Sequence, residues 1–448
     1  MMLCGAAVTA ALALPTADAA AGARVHFEAA KAVEAKLSFQ ASAPGADWGR
    51  AGHESAVLDV IVDGREVANV VTFAGAERFT YTTGLGRVAP GRHDVSVRFD
   101  RAKSPPAVRS AEIERLRPML APSDDLVARY APILYGRNLP EIAGEYENNH
   151  TDVPLLAYHT SAADAAGNRT IEYTVIWSNE DGGTNTPALM ARWGRTTDIE
   201  WIYRVTVDPQ GRRLSDAYQA ANHQTLPFDG AREADHPLLQ TATANNNTSA
   251  VVDPAVTSGY RFFLDTAEAL PAGRAREVEM DLHPWSYQIM AEEMAREGKV
   301  EQPGSPDTPE MSDQRNYLFA EIKKATSYPA GPPAAGSWVG TAVQVKLKGA
   351  DRWYASNHGV PDWSIQRDDP AATTVELPSG AAPGDVEAIK AVAVPVGSPP
   401  SDYRIDVTAI NRGFMLDSAF LPGASFVQWS GTETLTPSRP EVLLWHAP

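Results

Sequence analysis

The sequence has little cysteine, few basic residues and no long apolar run. Its single cysteine among 448 residues is Cys4, so a catalytic thiol or a cysteine-ligated metal in the rest of the chain is excluded. No stretch approaches the roughly 20 apolar residues of a membrane-spanning helix. Lys and Arg number 39 against 56 Asp and Glu, giving a net charge of −17. That charge argues against a nucleic-acid partner, which would need a basic face.

Familiar catalytic motifs are missing as well. The chain has no Gly-x-Ser-x-Gly nucleophile elbow, no His-Glu-x-x-His zinc helix and no phosphate-binding loop. What is present is an ordinary globular composition, with 44% hydrophobic and 21% charged residues. This length predicts two or three domains.

The first residues predict export. Residues 1–15 are mostly apolar or small, and Ala17-Asp18-Ala19 supplies the small-x-small pattern of a signal peptidase site. We therefore expect a signal peptide over residues 1–19 and a secreted, extracellular protein. The alternative is an alanine-rich start with no targeting role.

Residues 23–118 predict a small β domain. Asp63-Gly64 lies between two β-branched runs, and a two-residue type I′ turn needs the positive φ that Asp and Gly tolerate. Several short strands at this spacing indicate a β-sandwich. Trp48 and Phe79 are candidate sugar-stacking residues, with burial in the core as the alternative.

The same region ends in the pattern Val88-x-Pro90-Gly91-x-His93-x-Val95-x-Val97. A turn followed by alternating apolar residues in this order resembles the last hairpin of bacterial secreted jelly rolls of the carbohydrate-binding type. The resemblance implies a jelly-roll-like fold for the N-terminal domain.

Residues 124–448 predict a larger, β-rich and sandwich-like domain that contains two helices. One is expected near 284–298, with Pro284 in its first turn and Gly298 as its stop. The other is expected near 312–324, with Ser312 as its cap. Residues 385–396 fit a strand or a helix. The fold class is thus mostly β, an N-terminal sandwich joined to a larger β domain.

One strand of this domain carries the sharpest chemical pattern. An apolar face is formed by every second residue, namely Ile199, Trp201, Tyr203, Val205 and Val207, so the other face carries Asp198, Glu200 and Arg204. Side chains at i and i+2 lie about 6.6–6.8 Å apart, which suits two carboxylates at a glycosidic bond. The alternative is a solvated ladder of ion pairs on an exposed sheet face.

Polar loops and tryptophans surround this strand in sequence. Candidate substrate-binding residues are Trp177, Asp181, Trp193 and Arg204. Candidate oxygen ligands for a metal are Glu147, Asn149 and Asp152, and Ca²⁺ is the cation that such ligands suit. Turn formation by Asn, Asp and Gly is the alternative interpretation of these loops.

Four segments occur in a recognisable order: Tyr130-Ala131-Pro132-Ile133-Leu134-Tyr135, Thr151-Asp152-Val153-Pro154-Leu155, Thr197-Asp198-Ile199-Glu200-Trp201-Ile202, and His223. Over residues 128–250 this order resembles the vacuolar protein sorting-associated protein 62 family, whose hallmark is Gly-Asp-Trp-Glu-His on a strand. The resemblance implies a β-rich fold with a focal site at Asp198, Glu200 and His223. The hallmark Gly, Trp and His are replaced by Thr197, Ile199 and Trp201. The resemblance to this family implies no particular reaction.

Two functions remain open. The first is a secreted glycosidase acting on a neutral extracellular polysaccharide, with Glu200 as acid or nucleophile, Asp198 as its partner and His223 orienting groups or transferring protons. Arg204 would then lower the pKa of the carboxylate it contacts. The second is a non-catalytic extracellular protein that binds carbohydrate or calcium. The partner that we expect is a polysaccharide or glycan, and we expect no membrane span.

Overall fold

The structure is a computed structural model that describes residues 22–137, 152–180 and 185–448. Strands account for 47% and helices for 10%, which confirms the mostly β fold. The chain divides into two compact units. The first holds the chain up to Ile176 with Glu200–Ala269, and the second holds Trp177–Ile199 with Leu270–Pro448. The domain boundary between residues 118 and 124 stays a prediction, as does the signal peptide, which lies outside the described residues.

The N-terminal part of the first unit is a β-sandwich of two antiparallel sheets. One sheet has the strand order β1-β6-β3-β4 and the other β5-β2-β7. Their strands are β1 Ala23–Ala29, β2 Val33–Ser42, β3 Val57–Val62, β4 Arg65–Val71, β5 Phe79–Val88, β6 Gly91–Phe99 and β7 Glu112–Leu120. Asp63 and Gly64, which join β3 to β4, have φ of 50° and 83°, as the predicted turn requires.

Neither aromatic candidate of this sandwich is an open platform. Trp48 is 1% exposed, so the sugar-stacking role considered for it is wrong and its burial in the core is observed. Phe79 is half-buried and its ring packs 5.2 Å from Phe73 and 5.0 Å from Tyr81. Aromatic burial explains both residues.

The rest of the first unit is built on two further sheets, with strand orders β13-β12-β11-β10-β9 and β14-β15-β8-β17, where β16 pairs with β15. Strands β8 and β15 run parallel. The elements are α1 Leu126–Tyr130, β8 Ile133–Arg137, β9 Pro154–Ala163, β10 Arg169–Trp177, β11 Asp198–Val207, β12 Arg213–Ala220, β13 Gln224–Pro227, β14 Arg232–Glu233, β15 His236–Thr241, β16 Thr248–Ser249 and β17 Thr257–Phe262. The division between the units falls within β10 and β11.

In the part that the structure describes, the second unit contains three α-helices and a further pair of antiparallel sheets. The sheets have strand orders β21-β18-β23-β24 and β20-β19-β22-β25. The elements are α2 Thr186–Trp193, α3 Val278–Leu282, α4 Trp285–Arg296, β18 Tyr317–Ser327, β19 Trp338–Leu347, β20 Trp353–Ala355, β21 Asp369–Glu376, β22 Val386–Val396, β23 Arg404–Phe414, β24 Trp429–Leu435 and β25 Glu441–His446. Within the described part of the chain, none of the helices has the length and apolarity needed to cross a membrane.

These two sheets share a closed hydrophobic core. Leu318 of β18, Val343 of β19 and Ile389 of β22 are each 0% exposed and belong to one buried cluster. Burying a side chain of this size contributes roughly 1.5–3 kcal/mol. The core therefore fixes the second unit as a sandwich of its own. The segment 385–396, which fits a strand or a helix by sequence, is a strand, since Val386–Val396 forms β22.

The helix expected near 284–298 is confirmed as α4, and Gly298 follows it with φ of 66°. The helix expected near 312–324 is wrong, because this segment forms a short 3₁₀ turn and then β18. The spacing of its apolar residues is compatible with both the helical period of 3.6 residues and the strand period of two. The segment is a strand because it pairs with β21 on one side and with β23 on the other.

The apolar face predicted for β11 is confirmed at Ile199, Tyr203 and Val205, each 0% exposed. Trp201 is only half-buried, and the guanidinium of Arg204 lies 4.6 Å from its ring centre. The predicted alternation along β11 is thus correct at these three residues. The ring of Trp201, which is less buried, is covered by Arg204.

The face of β11 that carries Asp198 and Glu200 is largely buried as well. Asp198 is 0% exposed and Glu200 is 8% exposed, and Ile202, on the same face, is 1% exposed. Both faces of the strand are therefore packed at this point. The two carboxylates are buried polar groups, which need partners inside the protein.

Candidate functional site

A strained hairpin lies at the end of β12. Strands β12 and β13 pair from Ala217 to Ala220, and the three-residue 3₁₀ turn between them contains Asn222 and His223 with φ of 58° and 56°. Asn and His adopt this left-handed region more readily than most residues, but two in succession are uncommon. Strained backbone of this kind concentrates at functional sites, which directs attention to His223.

The imidazole of His223 is connected to Glu200 through one amide. The Nε2 of Gln219 donates to Oε2 of Glu200 at 2.6 Å and lies 2.7 Å from Nδ1 of His223. The same Nδ1 is 3.7 Å from that carboxylate oxygen. Since the amide nitrogen is only a donor, Nδ1 accepts, and this hydrogen-bond network assigns the imidazole proton to Nε2.

Burial differs steeply along this chain of contacts. Gln219 is 3% exposed, and the side chain of Glu200 is 10% exposed whereas that of His223 is 57% exposed. The imidazole is therefore held from inside at Nδ1 while much of the ring meets solvent. A buried carboxylate that acts on an exposed imidazole is an arrangement suited to proton transfer.

Asn247 and Thr248, at the start of β16, form hydrogen bonds with the hairpin. The backbone nitrogen of His223 donates to Oδ1 of Asn247 at 3.5 Å. The hydroxyl of Thr248 donates to the backbone oxygen of Gln219 at 2.8 Å. These contacts fix both ends of the turn, so the position of the imidazole is determined by the sheet and not by the loop alone.

The other residues predicted for the site do not join this cluster. Trp177 is 0% exposed, so it forms part of the core and offers no surface to a ligand. Arg204 pairs with Glu172, its Nε donating at 2.8 Å, and contacts neither predicted catalytic carboxylate. Asp181 lies outside the described residues.

Of the three predicted metal ligands, Glu147 and Asn149 lie outside the described residues. Asp152 is 0% exposed and pairs with the guanidinium of Arg137, which is itself 1% exposed. The cation that this carboxylate meets in the structure is therefore an arginine. The calcium site stays a prediction.

A second charged cluster lies in the second unit, around Trp193. The guanidinium carbons of Arg367, Arg276 and Arg195 lie 4.4, 5.2 and 5.9 Å from the centre of the indole. Glu277 lies between these cations and accepts from Arg367 at 3.1 Å. Burial alone would raise the pKa of Glu277, but the three guanidiniums outweigh it and lower the pKa to about 2.

Asp198 belongs to the electrostatics of this second cluster. Burial lowers the pKa of Arg195, but the carboxylates of Glu180, Glu277 and Asp198 together raise it. Glu180 accepts from Arg195 at 2.7 Å. The cation is therefore held charged by several buried anions, and Asp198 is one of the groups that compensate it.

The structure thus brings together Glu200 and His223 as expected and adds Gln219 and Asn247, which sequence reasoning had not assigned to the site. For Asn247 the sequence does offer a pattern, since it ends a run of three asparagines at 245–247. Gln219 lies in a strand with no motif around it, so nothing in the sequence identified it. The arginines around Trp193 come from three distant segments, and no local pattern connects them.

The fold and these clusters define a β-sandwich protein with a histidine-centred polar site in its first unit. No protein-family model matches the chain, and no curated protein matches it, so these comparisons give the resemblance to the vacuolar protein sorting-associated protein 62 family no support. Among solved structures, the chain is similar to one described as "EclA C-terminal domain; sugar-binding protein", with a TM-score of 0.15 and 15% sequence identity. The match covers 24% of this chain and 83% of that chain.

Proposed function

We propose that the protein is a secreted carbohydrate-active enzyme in which His223 transfers the proton. The observation that carries this proposal is the contact of one buried amide, Gln219, with both Glu200 and Nδ1 of His223. That contact directs the remaining nitrogen of an exposed imidazole outward. A general acid or base must be fixed in this way while keeping one face open to its substrate.

In this proposal Glu200 acts on the imidazole of His223 and not on the substrate. Its carboxylate lies 3.7 Å from Nδ1 of His223, close enough to stabilise the imidazolium that forms when Nδ1 takes up a proton. In that form Nε2 presents an N–H whose proton can be given to the substrate, which leaves the ring neutral again. Gln219 keeps the ring oriented between turnovers. The substrate we propose is a neutral extracellular polysaccharide, because a chain with a net charge of −17 repels polyanions.

The test is product release from a panel of neutral polysaccharides by the purified protein, with and without a chelator of divalent cations. His223→Gln is expected to lower the rate about 10²–10⁴-fold. His26→Gln is the matched control, since His26 is also half-exposed and lies in the N-terminal sandwich. Equal activity of wild type and His223→Gln would remove His223 from the mechanism.

A non-catalytic glycan-binding protein is the second candidate, and one observation favours it. Asp198 is 0% and Glu200 8% exposed, whereas the usual glycosidase places two carboxyl groups at the sugar. This candidate would be supported if a polysaccharide in an affinity gel slows the migration of the protein while the protein releases no product from that polysaccharide. It would also contradict a catalytic role for His223.

A further inference from the structure

The second unit contains a cleft that the proposed proton-transfer site does not use. It has a volume of about 440 Å³ and lies between the start of α2, the segment after α4 and the turn that carries Trp363. Its chemically distinctive lining residues are Asn185, Thr186, Lys299, Glu301, Glu310 and Trp363. The volume is within the range of about 300–1,000 Å³ that small-ligand sites occupy.

The indole on the wall of this cleft is held by a buried polar network. Trp363 ends a 3₁₀ turn, and its ring meets the imidazole of His358 edge-on at 6.2 Å. Nδ1 of His358 lies 3.2 Å from the backbone oxygen of Thr308, and Nε2 lies 3.8 Å from Glu376. His358 has φ of 49°, a strained backbone conformation, and the contact of its Nδ1 with Thr308 holds the imidazole against Trp363.

One carboxylate of the cleft is equally fixed. Oε1 of Glu301 accepts from the backbone nitrogen of Ser305 at 2.8 Å and from the hydroxyl of Thr308 at 2.7 Å. Thr308 also supplies the backbone oxygen that His358 contacts. The same short loop therefore positions the carboxylate and supports the aromatic wall.

Two other charged groups at the cleft remain available to a ligand. The side chains of Lys299 and Glu310 line it, Glu310 is exposed and Lys299 half-exposed, and neither forms an ion pair with any other residue that the structure describes. The cleft thus offers an aromatic face, hydrogen-bond acceptors and a donor. Apolar walls with a few placed polar groups are typical of small-ligand sites.

We propose that this cleft is a glycan-binding subsite in which a pyranose ring stacks on Trp363. A pyranose has an apolar face of C–H groups and a rim of hydroxyls, which matches an indole bordered by Glu301, Glu310 and Lys299. The hydroxyls donate to the carboxylates and accept from the ammonium group. This inference rests on the proposed carbohydrate function and extends it to a second place on the molecule.

The experiment is titration calorimetry of the full chain with three hexasaccharides, one of β-1,4-linked glucose, one of α-1,4-linked glucose and one of β-1,4-linked N-acetylglucosamine. Trp363→Ala is expected to weaken binding of the preferred hexasaccharide roughly tenfold or more, and Glu310→Gln severalfold. Trp353→Ala is the matched control, because Trp353 is a half-buried tryptophan of the same unit that packs against Lys390. Control binding is expected to equal that of wild type.

The outcomes separate this inference from the proposed function. Binding that Trp363→Ala weakens, with no product formed by wild type, supports the subsite and contradicts only the catalytic role of His223. Product formation that needs His223, with binding unaffected by Trp363→Ala and Glu310→Gln, overturns only the subsite. Absence of binding to all three hexasaccharides overturns the subsite as well. Because Glu310 is exposed, Glu310→Gln is expected to fold and tests the subsite even if Trp363→Ala does not fold.

Discussion

Two buried glutamates, Glu200 in the first unit and Glu277 in the second, have opposite surroundings. Glu200 is bonded to the neutral amide of Gln219 and lies near an exposed imidazole. Glu277 is surrounded by the guanidiniums of three arginines, which lower its pKa to about 2. The difference separates two uses of a buried carboxylate. Glu277 is ionised at neutral pH and holds cations together, whereas Glu200 lies beside the imidazole of His223 and can stabilise a positive charge there.

The largest effect is expected at Glu277. Glu277→Gln leaves three guanidiniums without their shared anion, and breaking a buried ion pair costs about 3–5 kcal/mol. Urea denaturation at pH 7 measures it. Glu441→Gln is the control, because Glu441 forms an exposed pair with Lys390 of the kind that contributes about 0–1 kcal/mol. Equal losses in the two variants would refute the structural role of Glu277.

The second effect is a pair of opposite pH dependences. Because the folded pKa of Glu277 is lowered from 4.5 to about 2, its stabilisation is present above pH 4.5 and is lost as the pH falls toward 2. Burial raises the pKa of Asp281 from 3.8 to about 6 despite its contacts with Arg412 and Tyr287. For Asp281 the native state binds the extra proton, so stability is lost as the pH rises from 3.8 to 6.

Each shift corresponds to roughly 3 kcal/mol at 1.36 kcal/mol per pKa unit. Denaturation midpoints of wild type, Glu277→Gln and Asp281→Asn between pH 3 and 7 measure both. Relative to wild type, Glu277→Gln should lose least at pH 3, and Asp281→Asn should gain as the pH rises. Parallel curves would show that neither group titrates as stated.

A smaller effect is expected at the amide that distinguishes the first cluster. Gln219→Leu keeps the volume but removes the hydrogen bond to Glu200, and a hydrogen bond to a charged group contributes about 1.5–3 kcal/mol. The pH profile of activity should shift as well, because the amide no longer holds Nδ1 of His223. Gln288→Leu, whose amide donates only to a loop carbonyl, should leave that profile unchanged. A normal profile in Gln219→Leu would separate Gln219 from the site.

The smallest effect concerns the strained turn. His223→Gly relieves a left-handed conformation that costs about 1–3 kcal/mol but adds conformational entropy to the unfolded chain, worth about 0.5–1 kcal/mol. We expect it to be at least as stable as His223→Ala in thermal denaturation, with activity lost in both. A less stable glycine variant would show that the turn carries no strain.

The sequence predicted elements better than sites, and particular residues show why. Alternation along β11 located Ile199, Tyr203 and Val205 correctly, since a period of two needs only local information. It did not reveal that Asp198 is buried, because Arg195, whose charge Asp198 helps to compensate, also pairs with Glu277, which lies far along the chain. The segment 312–324 was assigned the wrong period because its strand partners lie far along the chain.

The placement of α2 has a consequence for synthesis of the protein. The hydroxyl of Thr373 donates to the last turn of α2 at Ala191, 182 residues earlier, and Gly194 sits against the backbone of Thr373 so closely that an added Cβ would lie 3.0 Å from its nitrogen. Ribosomes add about 5–20 residues per second, so α2 emerges roughly ten to forty seconds before the strand it packs on. During that interval Ala188, Leu189 and Met190, buried in the finished protein, have no native neighbours in β21. The helix therefore completes its packing only after most of the second unit has been synthesised.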